Sequence, residues 1–255
     1  MKAVILAGGL GSRLNEETKD MPKPMIRIGG KPILWHIMKI YSYYGVKEFI
    51  ICCGYKGYII KDYFKNYLMH NSDVEIDLLK NIIKSKNTSD NWKIILADTG
   101  EETMTGGRIK KIKKYVEKDE FFLMTYGDGL SDVNIKKLIK YHRKKNKMAT
   151  LTAVYPSPRF GVLGINNGLV NSFKEKVVRK GLRINGGFFV LKPEIFKYIN
   201  NSLSIWETEV MLNLVKNKEL AAYEHNSFWE PMDTIRDMNY LNNLWKKKKA
   251  PWKLW

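Results

Sequence analysis

Residues near the N-terminus have the types and the spacing of a phosphate-binding site. The glycine-rich run Gly8 to Gly11 directly follows the apolar segment Lys2 to Ala7. Glycines at such a position leave successive backbone N–H groups open, so that these groups can close around a phosphate. Arg13 would add a fork of hydrogen-bond donors, and Lys23 would add a point charge. The stretch therefore predicts a site for a phosphate or a nucleotide.

The spacing matches neither of two common phosphate-binding motifs. The P-loop needs a lysine followed by serine or threonine directly after its last glycine, and the dinucleotide fingerprint needs G-x-G-x-x-G. A tight turn from strand to helix that binds no ligand is the structural alternative. Pro22 and Pro24 favour a binding site, because two fixed φ angles hold the backbone of Lys23 stiff and so help to aim its side chain.

A second candidate is Asp128, which lies between Gly127 and Gly129 directly after the apolar run Phe121 to Tyr126. A carboxylate at the carboxyl end of a central strand lies where open α/β sheets bind ligands. Carboxylate oxygens suit Mg²⁺ that is also bound to phosphates. The alternative is an aspartate that only caps a turn.

The net charge of +18 among 255 residues raises the question of nucleic acid as a partner. The lysines are spread along the whole chain in short clusters, which helical spacing would place mostly on solvated faces. No known nucleic-acid module is recognisable. We therefore expect no nucleic-acid partner, and we interpret the basic surface as an aid to collecting anionic substrates.

The cysteine content and the hydropathy pattern point to a cytoplasmic protein. Cys52 and Cys53 are adjacent within the apolar run Phe49 to Cys53, and they are typical of small strand residues in a reducing compartment. No apolar run is long enough to span a membrane, and the N-terminus lacks a signal-peptide pattern. We expect no membrane partner.

The order of apolar segments predicts an α/β fold. A strand, the helix Ile33 to Tyr44 and the strand Glu48 to Cys53 form a right-handed crossover in a parallel sheet. The chain is expected to be one domain, with a nucleotide-binding half to residue 155 and a sugar-phosphate half from 156 to 255.

Later segments give further local predictions. The weak pattern from His70 to Asn91 predicts an irregular excursion that contains a short strand-like segment, Val74 to Leu78. Helices are expected at Ile109 to Tyr115, from Asp132 onward, and at Ile235 to Lys246. The aromatic-rich C-terminus, Trp245 to Trp255, is too apolar for a free tail and is expected to dock on the body of the protein or on a neighbouring subunit.

Several runs resemble a known family over nearly the whole chain. They are LAGGLGSRL, PKPM, GGKPILWHIM, ICCGYKG, DTGEETMTGGR, TYGDGLSD, INGGFFVL, FWEPMDTIRDMNYLNNLW and APWKLW. Together they resemble the sugar-nucleotide pyrophosphorylases, which are nucleotidyltransferases that join a sugar 1-phosphate to an NTP. Within that family the resemblance is to the cytidylyltransferases that use glucose 1-phosphate. It implies a Rossmann-like, mixed and mostly parallel central sheet flanked by helices, the nucleotide-diphospho-sugar transferase fold, with a smaller sugar-binding β portion.

The resemblance also implies a set of site residues. The nucleotide would be bound by Leu6, Ala7, Gly8, Gly9, Gly11, Ser12, Arg13, Lys23, Thr103, Thr105, Gly106 and Arg108. The sugar phosphate would be bound by Gly127, Glu175, Lys176, Asn185 and Gly186. A Mg²⁺ ion would be held by Asp128 and Asp233, and the catalytic residues would be Arg13, Lys23 and Asp128.

For some of these residues the sequence leaves other roles open. Arg108 is either a phosphate ligand or the start of a basic helix. Asn185 and Gly186 either face the sugar or form a bulged strand. Lys176 is followed by Val177 where the family usually has proline, so the loop is less constrained than in other members.

The implied reaction is transfer of a cytidylyl group from CTP to glucose 1-phosphate, with release of pyrophosphate. A sugar 1-phosphate is largely dianionic at pH 7, with a second pKa of about 6, so it needs no general base. The need is for charge stabilisation and positioning during in-line attack on the α-phosphorus. Alternatives are the same chemistry with another NTP or sugar 1-phosphate, as in a thymidylyl- or guanylyltransferase, and a silent sugar-nucleotide-binding protein. The family further implies a homo-oligomer and a role in building surface polysaccharide.

Overall fold

The computed structural model describes residues 1–11, 19–85, 90–156, 162–166, 168–174 and 181–255. The strands in these ranges, β1 to β16 in chain order, are Lys2–Leu6, Arg27–Ile28, Lys31–Pro32, Glu48–Cys53, Val74–Asp77, Ile82–Ser85, Lys93–Asp98, Phe122–Tyr126, Gly129–Ser131, Ala149–Val154, Val162–Asn166, Leu169–Lys174, Ile184–Asn185, Phe189–Leu191, Leu220–Glu224 and Trp229–Pro231. The α-helices, α1 to α8, are Ile33–Tyr43, Gly57–Lys65, Tyr67–Asn71, Thr105–Lys111, Lys113–Val116, Ile135–Lys145, Met211–Lys216 and Ile235–Lys246. Two 3₁₀ turns, Lys23–Met25 and Pro193–Tyr198, and one π-helical turn, Trp206–Val210, accompany them in the same ranges.

One mixed sheet organises the fold. Its strand order is β15, β10, β14, β8, β1, β4 and β7, and β13 pairs with the other end of β10. The pairs β8–β1, β1–β4, β4–β7 and β10–β15 are parallel, whereas β14 is antiparallel to both of its neighbours. The predicted mixed, mostly parallel sheet flanked by helices is therefore confirmed.

Helices cover both faces of this sheet, as a parallel sheet requires. Side chains alternate between faces along β1, so Ala3 and Ile5 join one apolar cluster while Val4 and Leu6 join the other. The first cluster contains side chains of α1, α6 and α8, and the second contains side chains of α4, α5 and α7. None of the helices in the described part of the chain is both long and apolar enough to cross a membrane.

Three local predictions differ from the structure. In the excursion from His70 to Asn91 the strand-like segment expected at Val74 to Leu78 is confirmed as β5, but it pairs with a second strand, β6, that was not expected. The turn of this antiparallel hairpin includes Asn81 at a positive φ of 53°. Helix α6 begins at Ile135 behind the capping side chain of Asn134, because β9 occupies the residues before Asp132. Helix α4 begins at Thr105, earlier than the expected start at Ile109, because Gly106 and Gly107 are accommodated within it.

The C-terminal tail packs on the body of the protein, as its aromatic content suggests. Trp252 is fully buried and stacks on Trp245 and Phe228. Its indole N–H donates a 3.3 Å hydrogen bond to Nδ1 of His36, and Nε2 of the same ring donates a 2.8 Å bond to the carbonyl of Ile28. The two bonds together require a neutral imidazole with its hydrogen on Nε2.

Candidate active site

A cavity of about 490 Å³ lies at the carboxyl ends of the central parallel strands. This volume is within the range of about 300 to 1,000 Å³ that is usual for small-molecule sites. Its lining residues are Leu6, Ala7, Gly8, Gly9, Leu10, Gly11, Lys23, Pro24, Glu101, Glu102, Thr103, Met104, Thr105, Arg108, Tyr126, Gly127, Asp128 and Asp233. Most of them come from the segments that follow β1, β7 and β8, where an open α/β sheet binds its ligands.

The most strongly charged contact in the cavity joins Lys23 to two carboxylates. Nζ of Lys23 lies 2.6 Å from Oδ2 of Asp128 and 2.7 Å from Oδ1 of Asp233. The two carboxylate oxygens are therefore no more than 5.3 Å apart, the sum of these distances. Burial acts to lower the pKa of Lys23, but the two aspartates outweigh it and the pKa is raised above its usual value. The ammonium therefore stays charged at neutral pH.

The backbone around Lys23 is held as its flanking prolines predict. Lys23 begins a 3₁₀ turn closed by hydrogen bonds from the N–H of Met25 to the carbonyl of Pro22 and from the N–H of Ile26 to that of Lys23. Pro24 packs beside Gly127, at 3.0 Å from the position of a Cβ there. The turn thus fixes the start of the lysine side chain next to the strand end that carries Asp128.

A short ribbon brings Asp128 and Asp233 together although 105 positions separate them. Strands β9 and β16 pair antiparallel, with Gly129 opposite Pro231, and the N–H of Met232 donates a 2.8 Å bond to the carbonyl of Asp128. Along the chain, β9 closely follows β8, and β16 comes shortly before α8. Asp128 directly precedes β9 and Asp233 closely follows β16, so the antiparallel pairing puts the two carboxylates at the same end of the ribbon.

The beginning of α8 orients the second carboxylate. Thr234 caps the helix by accepting a hydrogen bond from the N–H of Asp237, and the Asp237 carboxylate accepts bonds from the N–H groups of Thr234 and Asp233. This reciprocal capping fixes the backbone of Asp233 at the positive end of the helix dipole. The sequence pattern Thr-Ile-Arg-Asp is typical of such a cap.

Arg108 lies within the basic helix α4, as one of its two predicted roles requires, and it also lines the cavity. Its guanidinium is buried and donates hydrogen bonds of 2.7 to 2.9 Å to the hydroxyl of Thr99 and to the carbonyls of Gly8, Gly100 and Glu101. The side chain therefore connects the glycine turn after β1 to the turn after β7 and positions their backbone. Its other predicted role, as a phosphate ligand, stays a prediction.

The residues of the run Thr105 to Arg108 have packing roles as well. A Cβ on Gly106 would lie 2.7 Å from the carbonyl oxygen of Ser204, and one on Gly107 would lie 2.1 Å from that of Ser202. The two glycines thus let α4 approach the segment before the π-helical turn. Thr103 and Thr105 line the cavity and Gly106 does not.

Only some of the predicted sugar-binding residues belong to the part of the chain that the structure describes. Gly127 lines the cavity, whereas Asn185 and Gly186 lie beside it. The Asn185 amide donates a 3.2 Å bond to the Tyr126 hydroxyl, and the Gly186 carbonyl accepts a 2.7 Å bond from the Trp229 indole. Ser12, Arg13, Glu175 and Lys176 lie outside the described residues.

Sequence reasoning missed two site residues, Tyr126 and Glu207. Tyr126 is the last residue of β8, and its hydroxyl donates a 2.7 Å bond to Glu207. Proximity to the Gly127-Asp128 pair was the available signal for Tyr126. Glu207 had no such signal, because a glutamate in an amphipathic helical stretch is ordinarily a solvated residue.

The described residues offer a limited choice of metal ligands. Within the described ranges, no group of three or more His, Cys, Asp or Glu side chains is gathered as a metal site would be. The Asp128 and Asp233 pair suits Mg²⁺, which binds through one or two carboxylates and completes its shell with waters and phosphates. Adjacent ligands of one Mg²⁺ ion are about 3 Å apart, which lies inside the 5.3 Å limit set by the two contacts to Lys23.

The parallel sheet, the glycine turn and the lysine with two carboxylates define a nucleotide-binding α/β protein equipped for phosphate chemistry. Residues 2–246 match the family model described as nucleotidyl transferase, so the chain belongs to that family, and the prediction of a nucleotidyltransferase is confirmed.

Individual relatives agree with this assignment. The chain is 56% identical over 256 residues to the glucose-1-phosphate cytidylyltransferase of Salmonella typhimurium, with all of both chains covered. It is 45% identical over the same span to a probable glucose-1-phosphate cytidylyltransferase of Bacillus subtilis, again with all of both chains covered. The resemblance seen in the sequence is thereby confirmed.

Solved structures place the fold in the same group. HddC from Yersinia pseudotuberculosis complexed with GMP-PN superposes with a TM-score of 0.69 at 26% identity, with 96% of this chain and 99% of that chain covered. A putative glucose-1-phosphate thymidylyltransferase from Bacillus anthracis superposes with a TM-score of 0.67 at 19% identity and supports the fold alone, covering 96% of this chain and 94% of that one.

Proposed function

We propose that the protein transfers the cytidylyl group of CTP to α-D-glucose 1-phosphate, forming CDP-glucose and pyrophosphate. The observation that carries the proposal is the 56% identity to a glucose-1-phosphate cytidylyltransferase with both chains fully covered. The paired aspartates and Lys23 in the cavity supply the groups that the reaction needs. CTP and glucose 1-phosphate are then the substrates, and the chain works without a nucleic-acid partner.

The cavity accommodates the nucleotide in one orientation. The backbone from Leu6 to Gly9 and the residues Thr103 and Thr105 line the cavity and receive the base. The triphosphate extends toward Lys23, with Arg13 on the β- and γ-phosphates. Among the described residues no heavy atom would lie within 4 Å of a Cβ at Gly9, apart from its chain neighbours, so this part of the chain leaves open space for a ligand there.

Asp128 and Asp233 are the residues that would hold Mg²⁺ as the cofactor. When bound, Mg²⁺ would supply charge neutralisation for the reacting phosphates. The Asp128 side chain retains 31% of its exposure and the Asp233 side chain 19%, so both carboxylates remain accessible from the cavity. Lys23 neutralises the same carboxylates in the free protein, and its ammonium moves onto the α-phosphoryl group when substrates bind.

The chemistry needs no proton transfer by a side chain. A phosphate oxygen of the sugar 1-phosphate attacks the α-phosphorus in line, the new P–O bond forms, and the bond to the leaving pyrophosphate breaks. Charge from Lys23 and Arg13 stabilises the oxygens that become more negative. Glu175, Asn185 and the backbone of Gly127 and Gly186 hold the sugar, while Lys176 binds its phosphate.

We extend the proposal to the setting of the reaction. The cytoplasm is where CTP is available, so the enzyme works there without a membrane partner. The hairpin of β5 and β6 exposes apolar side chains, with Leu79 fully exposed and Leu78 at 87%. Such a patch suits contact with a second copy of the chain, in keeping with a homo-oligomer. CDP-glucose would then feed the synthesis of dideoxyhexoses for surface polysaccharide.

A substrate panel tests the function. Pyrophosphate release is measured with CTP, UTP, dTTP, ATP and GTP, each paired with glucose 1-phosphate and mannose 1-phosphate in the presence of Mg²⁺. The expected result is turnover with CTP and glucose 1-phosphate at the highest kcat/KM. A preference for GTP or dTTP would replace the cytidylyl assignment, and absence of turnover with every pair would leave a sugar-nucleotide-binding protein.

A further inference from the structure

The carboxylate of Glu207 receives two hydroxyl groups that belong to the cavity wall. The Thr105 hydroxyl donates a 2.7 Å hydrogen bond to Oε2, and the Tyr126 hydroxyl donates a 2.7 Å bond to Oε1. Thr105 begins α4 and Tyr126 ends β8, and both side chains line the cavity. Glu207 is not itself a lining residue, so any effect on a ligand passes through these two hydroxyls.

The direction of these bonds is determined by chemistry. A carboxylate only accepts, so Thr105 must use its single hydrogen on Glu207. The same hydroxyl accepts a 2.9 Å bond from the backbone N–H of Trp206. A threonine hydroxyl has one donor and two acceptor positions, so the only capacity left to Thr105 is one acceptor.

Tyr126 is fixed in the same way. Its hydroxyl donates to Glu207 and accepts from the amide of Asn185. Because a carboxylate oxygen only accepts, the hydrogen in the 2.7 Å bond between the two side chains belongs to the Tyr126 hydroxyl. The tyrosine anchors Glu207 through the other carboxylate oxygen, so the carboxylate has little freedom to release either hydroxyl.

The local backbone gives Glu207 this position. It lies in the π-helical turn Trp206–Val210, where the N–H of Val210 bonds to the carbonyl of Ile205. Such turns are rare and are often found at functional sites. Trp206 is fully buried beside Phe189, so the turn is anchored in the core and holds the glutamate against the cavity wall.

A hydroxyl that can only accept distinguishes pyrimidine bases. Cytosine carries an amino group at position 4, which donates, whereas uracil and thymine carry a carbonyl there, which only accepts. A carbonyl facing the Thr105 oxygen would leave two acceptors in contact with no hydrogen between them, and an unpaired polar group at a buried site is strongly disfavoured.

We propose that Glu207 is a positioning residue for base selection: by taking the hydrogen of Thr105, it leaves an acceptor that pairs with the 4-amino group of cytosine and repels the 4-carbonyl of uracil or thymine. This inference rests on the proposed function, because it requires a pyrimidine base beside Thr105. It adds to that function the group that decides between CTP and UTP.

The decisive variant is Glu207→Gln. A glutamine can donate an N–H to the Thr105 hydroxyl, which frees the hydroxyl hydrogen to turn toward the cavity. The ratio of kcat/KM for CTP to that for UTP is expected to fall by about tenfold or more. A CTP analogue with hydrogen in place of the 4-amino group should have a lower kcat/KM than CTP with the unmodified protein. With the variant, the difference in kcat/KM between the analogue and CTP should be much smaller.

Matched variants separate this role from a general structural one. Glu209→Gln makes the same change in the same turn, where the side chain is exposed and accepts the backbone N–H of Ile205, so the CTP to UTP ratio should stay unchanged. Thr105→Ser keeps the hydroxyl and should retain the ratio, whereas Thr105→Val removes the acceptor and should reduce it. Calorimetric binding of CDP and UDP gives the same comparison without turnover.

The outcomes distinguish the two proposals. If the unmodified protein does not prefer CTP over UTP, the proposed function itself fails. If it prefers CTP but neither Glu207→Gln nor Thr105→Val lowers the ratio, base selection does not pass through Glu207 and this inference is overturned. If Glu207→Gln fails to fold, the comparison of Thr105→Val with Thr105→Ser still decides, since serine keeps the hydroxyl that Glu207 orients and valine removes it; an equal CTP to UTP ratio in the two variants would overturn the inference.

Discussion

The guanidinium of Arg108 fills the space that a side chain on Gly8 would occupy. A Cβ at Gly8 would lie 2.3 Å from Nη1 of Arg108, and a Cβ at Gly54 would meet the same atom at 2.3 Å. The two glycines therefore provide room for a buried cation, which in turn binds the carbonyl of Gly8 at 2.9 Å. The first glycine of the turn is required by the protein itself and not only by a ligand.

This relationship predicts opposite results for neighbouring glycines. Gly8→Ala should destabilise the protein by about 2 kcal/mol or more, because either Arg108 or the backbone near Gly54 must move. Gly9→Ala should leave the free energy of unfolding nearly unchanged, since the residues that the structure describes place no heavy atom within 4 Å of its added Cβ, chain neighbours aside. Urea unfolding of both variants makes the comparison. Equal losses of stability would contradict the role given to Arg108.

Lys23→Ala should separate catalysis from substrate binding. The ammonium stabilises charge that grows during the reaction, so kcat should fall by about 100-fold or more while KM changes less. The free protein should bind Mn²⁺ more tightly, because Asp128 and Asp233 lose the cation that lies between them. Steady-state kinetics and Mn²⁺ titration followed by electron paramagnetic resonance measure the two effects. A rise in KM with unchanged kcat would make Lys23 a uniform binding group.

Asp128→Asn and Asp233→Asn should each abolish turnover and weaken Mn²⁺ binding, because a neutral amide is a poorer ligand for a hard cation. Folding should persist, since Lys23 keeps one carboxylate partner. Asp119→Asn is the matched control, because Asp119 pairs with Lys2 at the amino end of β1 and should leave turnover intact. Mg²⁺-dependent rates retained by either active-site variant would remove that residue from the metal site.

His36 should make the protein sensitive to mild acid. Burial lowers the pKa of His36 from 6.5 to about 4, and the unfolded chain therefore binds the proton more readily. The contribution to stability is fully present above pH 6.5 and is lost as the pH falls toward 4. The free energy of unfolding should fall by about 2 kcal/mol between pH 7 and pH 5 for this reason.

Two histidine variants test this dependence. Urea unfolding at both pH values should show a smaller loss of stability on acidification for His36→Gln than for the unmodified protein. The exposed His70→Gln should behave like the unmodified protein. An unchanged pH dependence in His36→Gln would show that burial does not hold the His36 ring in its neutral form.

Local sequence patterns predicted much of the sheet and half of the site. Strand β4 has the predicted bounds, Glu48–Cys53, because a buried parallel strand is a continuous apolar run. The glycine turn and Asp128 follow such strands directly, and the topology of a parallel sheet places their ends at one edge. Helix α8 has its predicted bounds because its N-terminal capping pattern is local.

The remaining features depend on contacts between distant segments. Periodicity alone does not pair Asp128 with Asp233, since the β9–β16 ribbon depends on three-residue strands too short to show a pattern. Only family resemblance suggested that pair. The sequence left Arg108 as either a phosphate ligand or the start of a basic helix, because no local signal shows that carbonyls from two loops surround its guanidinium. Glu207 was missed for the same reason, as its partners are 102 and 81 positions away.

The β9–β16 ribbon also orders events during synthesis of the chain. The glycine turn and Asp128 leave the ribosome long before Trp229–Pro231, and the second carboxylate follows only at Asp233. A nascent chain can therefore complete its first parallel strands without yet possessing a pair of carboxylates. Asp233 comes late in this chain, so under the proposed function a nascent chain cannot hold the metal or consume nucleotide until that segment has been made.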